Sequence, residues 1–553
     1  MTIARFVASL SLAAAGFAIP GVVRAQLPDS MRARVDGVFA RWDHTDSPGC
    51  ALGISQDGKP VYLHGYGMSD LQHAIAITPG SIFHVASISK EFAAYAIALL
   101  AEDGRLRLDD DVRQYVPEIP DYGHRITIRH LIHHTSGLRD QWQLLGYAGW
   151  REDDLITEDD VLAILARQRG VNFTPGDEWL YSNTGYTLLA VIVKRVSGQS
   201  LRDFAQARIF APLGMRDTHF HDDHTMIVPG RTSAYQPRDG GGWKISIPVF
   251  DTYGATSLFT TAGDLLTWMA NLDHPIVGTP AMVKAAQTSA VLNDGTPTGY
   301  GYGLTVGAYR GLTAIGHGGA DAGYRAQVER YPERGIAIAV ACNASIAAPN
   351  VLLRKVADVL IGTSAPPPTL SIDTVARSVP LITRQRWAGL YRDTISQQVI
   401  RVRLTSDTLR LQDGRTLTAT SDSSARIGSG GSALVFHSTA GVVTSAEQVP
   451  RSTRPLVFRR EAPFAPDRAA LATFAGTYES DELDVRYVLA TTDSGLVLRQ
   501  RKLGELKLEP TARDAFAIDH GIFLQFSRDR SRTVSGFTLT DGRMRGVRFE
   551  RVK

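Results

Sequence analysis

The chain has 553 residues, 44% hydrophobic and 21% charged, an ordinary globular composition with length for three to four domains of about 150 residues each. Lys and Arg number 59 against 56 Asp and Glu, a formal net charge of +3, and that near balance gives no electrostatic footprint for nucleic acid. Phosphate-binding and dinucleotide motifs are absent.

Met1–Ala25 has the pattern of a secretory leader: Arg5, an apolar run from Phe6 to Ile19, Pro20-Gly21, and Val23-Arg24-Ala25 as a small-residue cleavage site. Its apolar run is shorter than the roughly 20 residues that span a bilayer, and no later run replaces it. A soluble protein, periplasmic or secreted after cleavage, is expected. Without Arg5 and Arg24 the balance is 57 basic against 56 acidic residues, a charge of +1.

The strand-like Ile82-Phe83-His84-Val85 leads into Ser87-Ile88-Ser89-Lys90 and then Glu91–Leu100, a run of helix formers that closes at Gly104. This spacing predicts Ser87 in a first helical turn with Lys90 on the same face, where its amine reaches the serine hydroxyl. A serine becomes a good nucleophile when a base takes its proton, and an amine serves if burial and nearby charge keep it partly neutral. The N–H groups of a helix start can face a developing oxyanion. The same spelling also fits an N-cap serine beside a solvated lysine.

His130, His133 and His134 suggest a metal, as do His219, His221, Asp222, Asp223 and His224. Both clusters lack the partner spacing of a zinc site, so no metal and no cofactor is expected. After the turn Thr174-Pro175-Gly176 comes Tyr181-Ser182-Asn183, on a loop before the helical run Leu188–Val193. A nearby cation would favour the Tyr181 phenolate. Tyr181 could then relay a proton, and Asn183 could donate to a substrate carbonyl. Further on, Ile315-Gly316-His317-Gly318-Gly319-Ala320 has a glycine density that predicts close approach to its backbone. The apolar Ile336–Ala341 reads as a buried strand. We expect the glycine segment to be its neighbour, with His317 at a cleft edge.

In order, these words resemble the S-x-x-K, S-D-N and K-T-G set of β-lactamases and penicillin-binding proteins. Tyr-Ser-Asn matches the class C β-lactamase-like branch, and His-Gly-Gly is similar to the variant in D-aminopeptidases and related esterases. Leu131–Leu138, Phe173–Tyr186, Thr260–Leu265 and Gly299–Leu304 extend the resemblance over roughly residues 35 to 360. It implies an α/β (α+β) transpeptidase-like domain, an antiparallel sheet flanked by helices. Ser87 would be acylated, with Lys90 and Tyr181 handling protons, and either could be the base. Asn183, His317 and Gly319 would line the substrate site, and the N–H groups of Ser87 and Ala320 would form the oxyanion hole. Histidine in place of a fixed lysine cation implies a D-aminopeptidase-like peptidase or amidase. The alternatives are a carboxylesterase, a weak β-lactamase, or a penicillin-binding or sensor module that acylates without turnover. In the resembling fold the first and last strands of the sheet are paired, which would make Cys50 and Cys342 neighbours. Two buried free cysteines are still favoured here, since cross-strand geometry often misses the separation that a disulfide needs.

Ser364-Ala365-Pro366-Pro367-Pro368-Thr369 reads as a stiff linker. Beyond it an internal repeat appears: Trp387–Tyr391 against Phe474–Tyr478, and Leu409–Gln412 against Leu496–Arg499, both at an offset of 87. Alternating short strands with Gly, Asp and Ser turns predict two small antiparallel β-barrels, similar to the lipocalin-like barrels of D-aminopeptidases. The expected division is 1–25 leader, 26–363 hydrolase, 364–383 linker, 384–461 first barrel and 466–553 second barrel. The expected partner is a small peptide, amide or ester. The barrels are expected to act as covers or spacers near the site.

Overall fold

The computed structural model describes residues 26–151, 153–362, 376–393, 399–428, 432–449, 456–462, 464–518 and 522–552. The expected leader and the proline stretch at 364–369 lie outside the described residues. Among these, no helix is long and apolar enough to cross a membrane.

The N-terminal domain is built on a sheet of six antiparallel strands: β1 (Cys50–Gln56), β2 (Lys59–Tyr66), β3 (Thr305–Tyr309), β4 (Leu312–Asp321), β5 (Tyr324–Tyr331) and β6 (Ile336–Cys342), in the order β3-β4-β5-β6-β1-β2. Side chains alternate across a strand. On one face Cys50, Leu52, Ile54, Ile338 and Val340 pack beneath α1 (Asp29–Phe39) and α6 (Pro349–Ile361). On the other, the smaller Ala51, Ala339 and Ala341 join the core under α2 (Ser89–Glu102) and α5 (Ala262–Asn271). With both faces covered, β6 is buried at every position, which explains its unbroken apolar run.

Two expectations are corrected here. The glycine segment is not next to Ile336–Cys342, because β5 lies between them. Its Arg325, Gln327, Glu329 and Arg330 masked a strand signal. Cys50 and Cys342 are not free: β1 and β6 pair in a register that sets them directly opposite, and they form a disulfide with Cα atoms 4.0 Å apart. Across neighbouring strands that register brings the two sulfurs within bonding reach.

The first barrel closes eight strands, β7 (Gly389–Asp393) to β14 (Leu456–Arg460), and the second another eight, β15 (Gly476–Ser480) to β22 (Met544–Arg551). The repeat reproduces individual contacts. The Tyr391 hydroxyl donates to the Trp387 carbonyl and the Tyr478 hydroxyl to the Phe474 carbonyl, each at 2.8 Å. Trp387, at the end of a helix that starts inside the expected linker at Leu381, stacks on Phe436 and fills the first barrel.

The second barrel shares a continuous apolar core with the N-terminal domain. Where they meet, Arg139 is 5% exposed and pairs with Glu482, 2% exposed, at 2.5 Å. Arg139 also donates to Gln168 and to the carbonyls of Arg545 and Gly546. The first barrel rests on the second through Leu390, Val399, Ala515 and Phe523.

Removing one partner of a buried pair strands the other charge, at a cost of about 3–5 kcal/mol. Arg139→Met is therefore expected to lower the urea midpoint of the full chain markedly and to speed proteolysis between the N-terminal domain and the barrel. A second group makes stability pH-dependent. Glu91 on α2 is buried against Trp268, whose indole donates to it at 2.6 Å. Burial raises its acid from 4.5 to about 8. The unfolded chain then ionises first, and this contribution to stability is lost as pH rises from about 4.5 to about 8. Thermal melts of wild type against Glu91→Gln should show the wild type losing ground across that window and levelling above it.

Candidate active site

The chain turns sharply before Ser87. Ala86 has φ +47°, a left-handed conformation costly for a residue with a Cβ, and Ser87 follows in a 3₁₀ turn, Ala86–Ile88, that runs into α2. Ser87 thus sits in the turn just before the helix, and Lys90 is the second residue of the helix itself. Strand β4 supports this turn. A Cβ on Gly319 would lie 2.0 Å from the Val85 carbonyl oxygen, so only glycine lets β4 approach the turn that carries Ser87. The β3 ladder ends at Gly316, leaving β4 from His317 to Asp321 paired with β5 alone. Its free edge, with Ala320, borders the cleft.

Lys90 is fully buried. Its Nζ lies 3.1 Å from Ser87 Oγ, 2.9 Å from Asn183 Oδ1 and 2.5 Å from the Ala255 carbonyl oxygen. Burial pushes the amine down to about 7, with Asp140 opposing and the Arg543 charge adding to the effect. A neutral amine has two N–H bonds and one lone pair. The two carbonyl oxygens can only accept, so they take both hydrogens and leave the lone pair for the Ser87 O–H. Asn183 opens α4 (Asn183–Ser197). Its Nδ2 and backbone N–H both donate to Asp140 Oδ2 at 2.8 Å, which turns its amide oxygen toward Lys90. The buried Asp140 also caps α3 (Gln141–Tyr147) through the Trp142 N–H.

Tyr181 packs beside this group, with Lys90 Nζ 4.8 Å from its ring centre. Its hydroxyl is buried and closes no full hydrogen bond. Burial raises its pKa well above that of an ordinary phenol, with the nearby Ser87 hydroxyl acting in the opposite sense. The expected drift toward phenolate is thus overridden by desolvation, and the group is a neutral phenol that can donate. His317 is also neutral: burial and the Lys90 charge lower it to about 4. Its Nδ1 donates to the Gly318 carbonyl at 2.5 Å and its Nε2 accepts from the Tyr300 hydroxyl at 2.9 Å. Both ring nitrogens are therefore occupied.

The cleft over these groups has a volume of about 950 Å³ and is lined by Ser87, Tyr181, Asn183, His317, Gly319 and Ala320 together with an aromatic wall that includes Trp142, Trp150 and Phe250. Of the sequence-derived site residues, all but Lys90 line this one cavity, and Lys90 lies buried behind Ser87. It adds Asp140, Tyr300, Asp321 and Arg543, which sequence reasoning missed. Asp321 follows Ala320; its Oδ2 accepts from Thr256 at 3.0 Å and from His84 Nε2 at 3.1 Å. A signal for Asp140 was present as Asp before a short helical run; Arg543 carried none. The histidines of both clusters make other contacts, and Asp223, His224 and Asp251 bring ligand-capable atoms within 4.8 Å of one another. His130 caps a helix, His133 donates to the Tyr300 carbonyl, and His134 accepts from the Ser182 N–H. His219 and His221 pack on Phe259, Asp222 pairs with Arg202, and His224 with Asp251.

Residues 35–362 match the family described as Beta-lactamase. Penicillin-binding protein 4* of Bacillus subtilis (strain 168) is 30% identical over 304 residues, 50% of this chain and 64% of that protein. A D-aminopeptidase of Gluconobacter oxydans (strain 621H) is 27% identical over 302 residues, 54% of this chain and 56% of that protein. The chain thus spans less than two thirds of the length of these relatives. Among solved structures, an octameric penicillin-binding protein homologue from Pyrococcus abyssi aligns with a TM-score of 0.56 at 22% identity, over 78% of this chain and 99% of that one. A D-amino acid amidase from Ochrobactrum anthropi SV3 aligns at 0.51 and 23%, over 60% and 99%. At these identities the structural likeness establishes the shared fold. The family match covers more than half of the 553 residues and contains the whole Ser87–Lys90–Asn183 network: the chain belongs to the beta-lactamase family.

Proposed function

We propose that this chain is an exported serine hydrolase that forms an acyl-enzyme at Ser87 and acts on D-amino-acid peptides or amides. The observation that carries the reading is the hydrogen bonding of Lys90, whose two carbonyl acceptors leave the amine lone pair for the Ser87 hydroxyl. In this reaction the Ser87 proton passes to Lys90 Nζ as Oγ bonds to the substrate carbonyl carbon. The N–H groups of Ser87 and Ala320 receive the oxyanion. The C–N bond then breaks with the amine taking a proton from the neutral Tyr181 hydroxyl, which the Lys90 ammonium restores. Water, deprotonated by the same amine, releases the acid.

Three features support the peptidase branch. A neutral His317 puts no fixed cation where a substrate ammonium would be repelled. Asp321 gives that ammonium a counter-charge at the free edge of β4. Relatives are named D-aminopeptidase and D-amino acid amidase. Export is supported by the leader-like start and by the Cys50–Cys342 disulfide, a bond typical of oxidising compartments.

A panel of D-aminoacyl anilides, L-aminoacyl anilides, short p-nitrophenyl esters and a chromogenic cephalosporin tests the assignment. The full-length protein should turn over the D-aminoacyl anilides fastest. A fluorophosphonate should label Ser87, and Ser87→Ala should lose the label and at least about 10³-fold in turnover. Fastest turnover of the esters or the cephalosporin would make it a carboxylesterase or β-lactamase. A burst with no steady state would make it an acyl-trapping module.

A further inference from the structure

The second barrel places one side chain in the active-site cleft. Its last two strands, β21 (Val534–Asp541) and β22, are joined by a tight turn at Gly542 and Arg543, and Arg543 lines the cavity that contains Ser87. The turn is held in place from the hydrolase side. Both the Asp140 N–H, at 3.1 Å, and Asn172 Nδ2, at 2.9 Å, donate to the Arg543 carbonyl. The Tyr147 hydroxyl donates to Asp541 at 2.9 Å, and Asn172 Oδ1 accepts from the Arg545 N–H at 2.8 Å. A backbone fixed at this many points presents its side chain in a set direction.

The guanidinium lies over the Tyr181 ring, 5.7 Å from its centre. Its Nη1 forms an ion pair with Asp140 Oδ2 at 3.4 Å, and its side chain remains 34% exposed. The Asp140 oxygens already accept from the Asn183 N–H and Nδ2 and from the Trp142 N–H. Among the described residues no acceptor takes a hydrogen bond from the Arg543 guanidinium. The other arginines of the cavity are differently committed. Arg325 donates to the carbonyls of Ala322 and Tyr324, and Arg151 pairs with Asp153 and Asp154. Arg543 is thus a planar donor fork on a fixed backbone, stacked on an aromatic face, with Nη1 facing Asp140 and the rest of the group reaching the cleft. This is the geometry that receives a carboxylate through two parallel hydrogen bonds.

We infer that Arg543 is a specificity-determining residue that binds a carboxylate of the substrate beside Ser87, so that the second barrel, and not the hydrolase domain, selects for an anionic group. The inference deepens the amidase reading and rests on it for the identity of the acyl donor: a D-amino-acid peptide or amide that carries a carboxylate near the scissile bond. The barrel then acts as more than a cover, since it supplies a charge that His317 lacks.

Equilibrium titration of the full-length protein with phenylacetate and phenylacetamide tests the subsite without any chemistry at Ser87. The two ligands share a ring for the aromatic wall and differ by one charge. Wild type should bind phenylacetate at least about tenfold more tightly than the amide. Arg543→Gln should bring that ratio close to one, and Arg543→Lys, which keeps the charge but loses the fork, should retain part of it. Equal affinities in wild type would overturn the proposal. So would a preference that survives in Arg543→Gln, or one that is lost in Arg325→Gln instead. Failure of the amidase reading is seen separately, as absent turnover of D-aminoacyl anilides by a protein that still discriminates the two ligands.

Discussion

The amine of Lys90 is held away from water, and the shape of the site follows from keeping it there. An isolated ammonium in such a place is strongly disfavoured, so the lysine sheds its proton far more readily than a solvated one. That state is useful only if the remaining hydrogens are committed elsewhere, and Asn183 and Ala255 take them. Asn183 can do so because Asp140 fixes its amide the right way round. Loop residue Gly303 has φ +71°, and a Cβ there would lie 2.5 Å from the backbone of Lys90 and Glu91, so the cover over the start of α2 depends on that glycine. The close fit of β4 at Gly319 seals the same region from the sheet side.

The electrostatic balance of the site is shared between domains. Asp140 steadies the protonated lysine and Arg543 opposes it, and the two side chains face one another from hydrolase and barrel. The Arg139–Glu482 pair next in sequence ties the same barrel down with almost no exposure to water. Adjacent residues of one short segment, Arg139 and Asp140, therefore dock the barrel and, through Asn183, orient the group that holds the buried Lys90. A barrel attached in this way belongs to the site structurally, although its strands fold around a separate duplicated pattern.

Legibility in the sequence followed the range of the interactions. Ser87 and Lys90 are three residues apart and share a helical start, so local spacing was enough to pair them. The barrels were visible because Trp387–Tyr391 and Phe474–Tyr478 repeat at a fixed offset, and the structure shows the same tyrosine-to-carbonyl contact in each. Asp140 and Arg543 were missed because their roles exist only once distant segments meet; no periodicity marks a turn residue that reaches another domain. Strand β5 was missed because its polar residues interrupt the apolar pattern, and the cysteine pair because register cannot be read from spacing. For Tyr181 the neighbouring cation was legible, but the sign of the effect was not, since burial outweighs the charges beside it.

We propose that the buried Lys90, its amine lowered to about 7, is the base that activates Ser87. The rate of Ser87 acylation in the full-length protein, measured in the pre-steady state from pH 5 to 10, tests it most directly. A lysine lowered to about 7 is protonated and inactive below that pH and free above it, so the rate should climb through a single midpoint near 7 and then reach a plateau. A rate that is flat across the range, or that keeps climbing toward the ordinary lysine value near 10, would contradict the account.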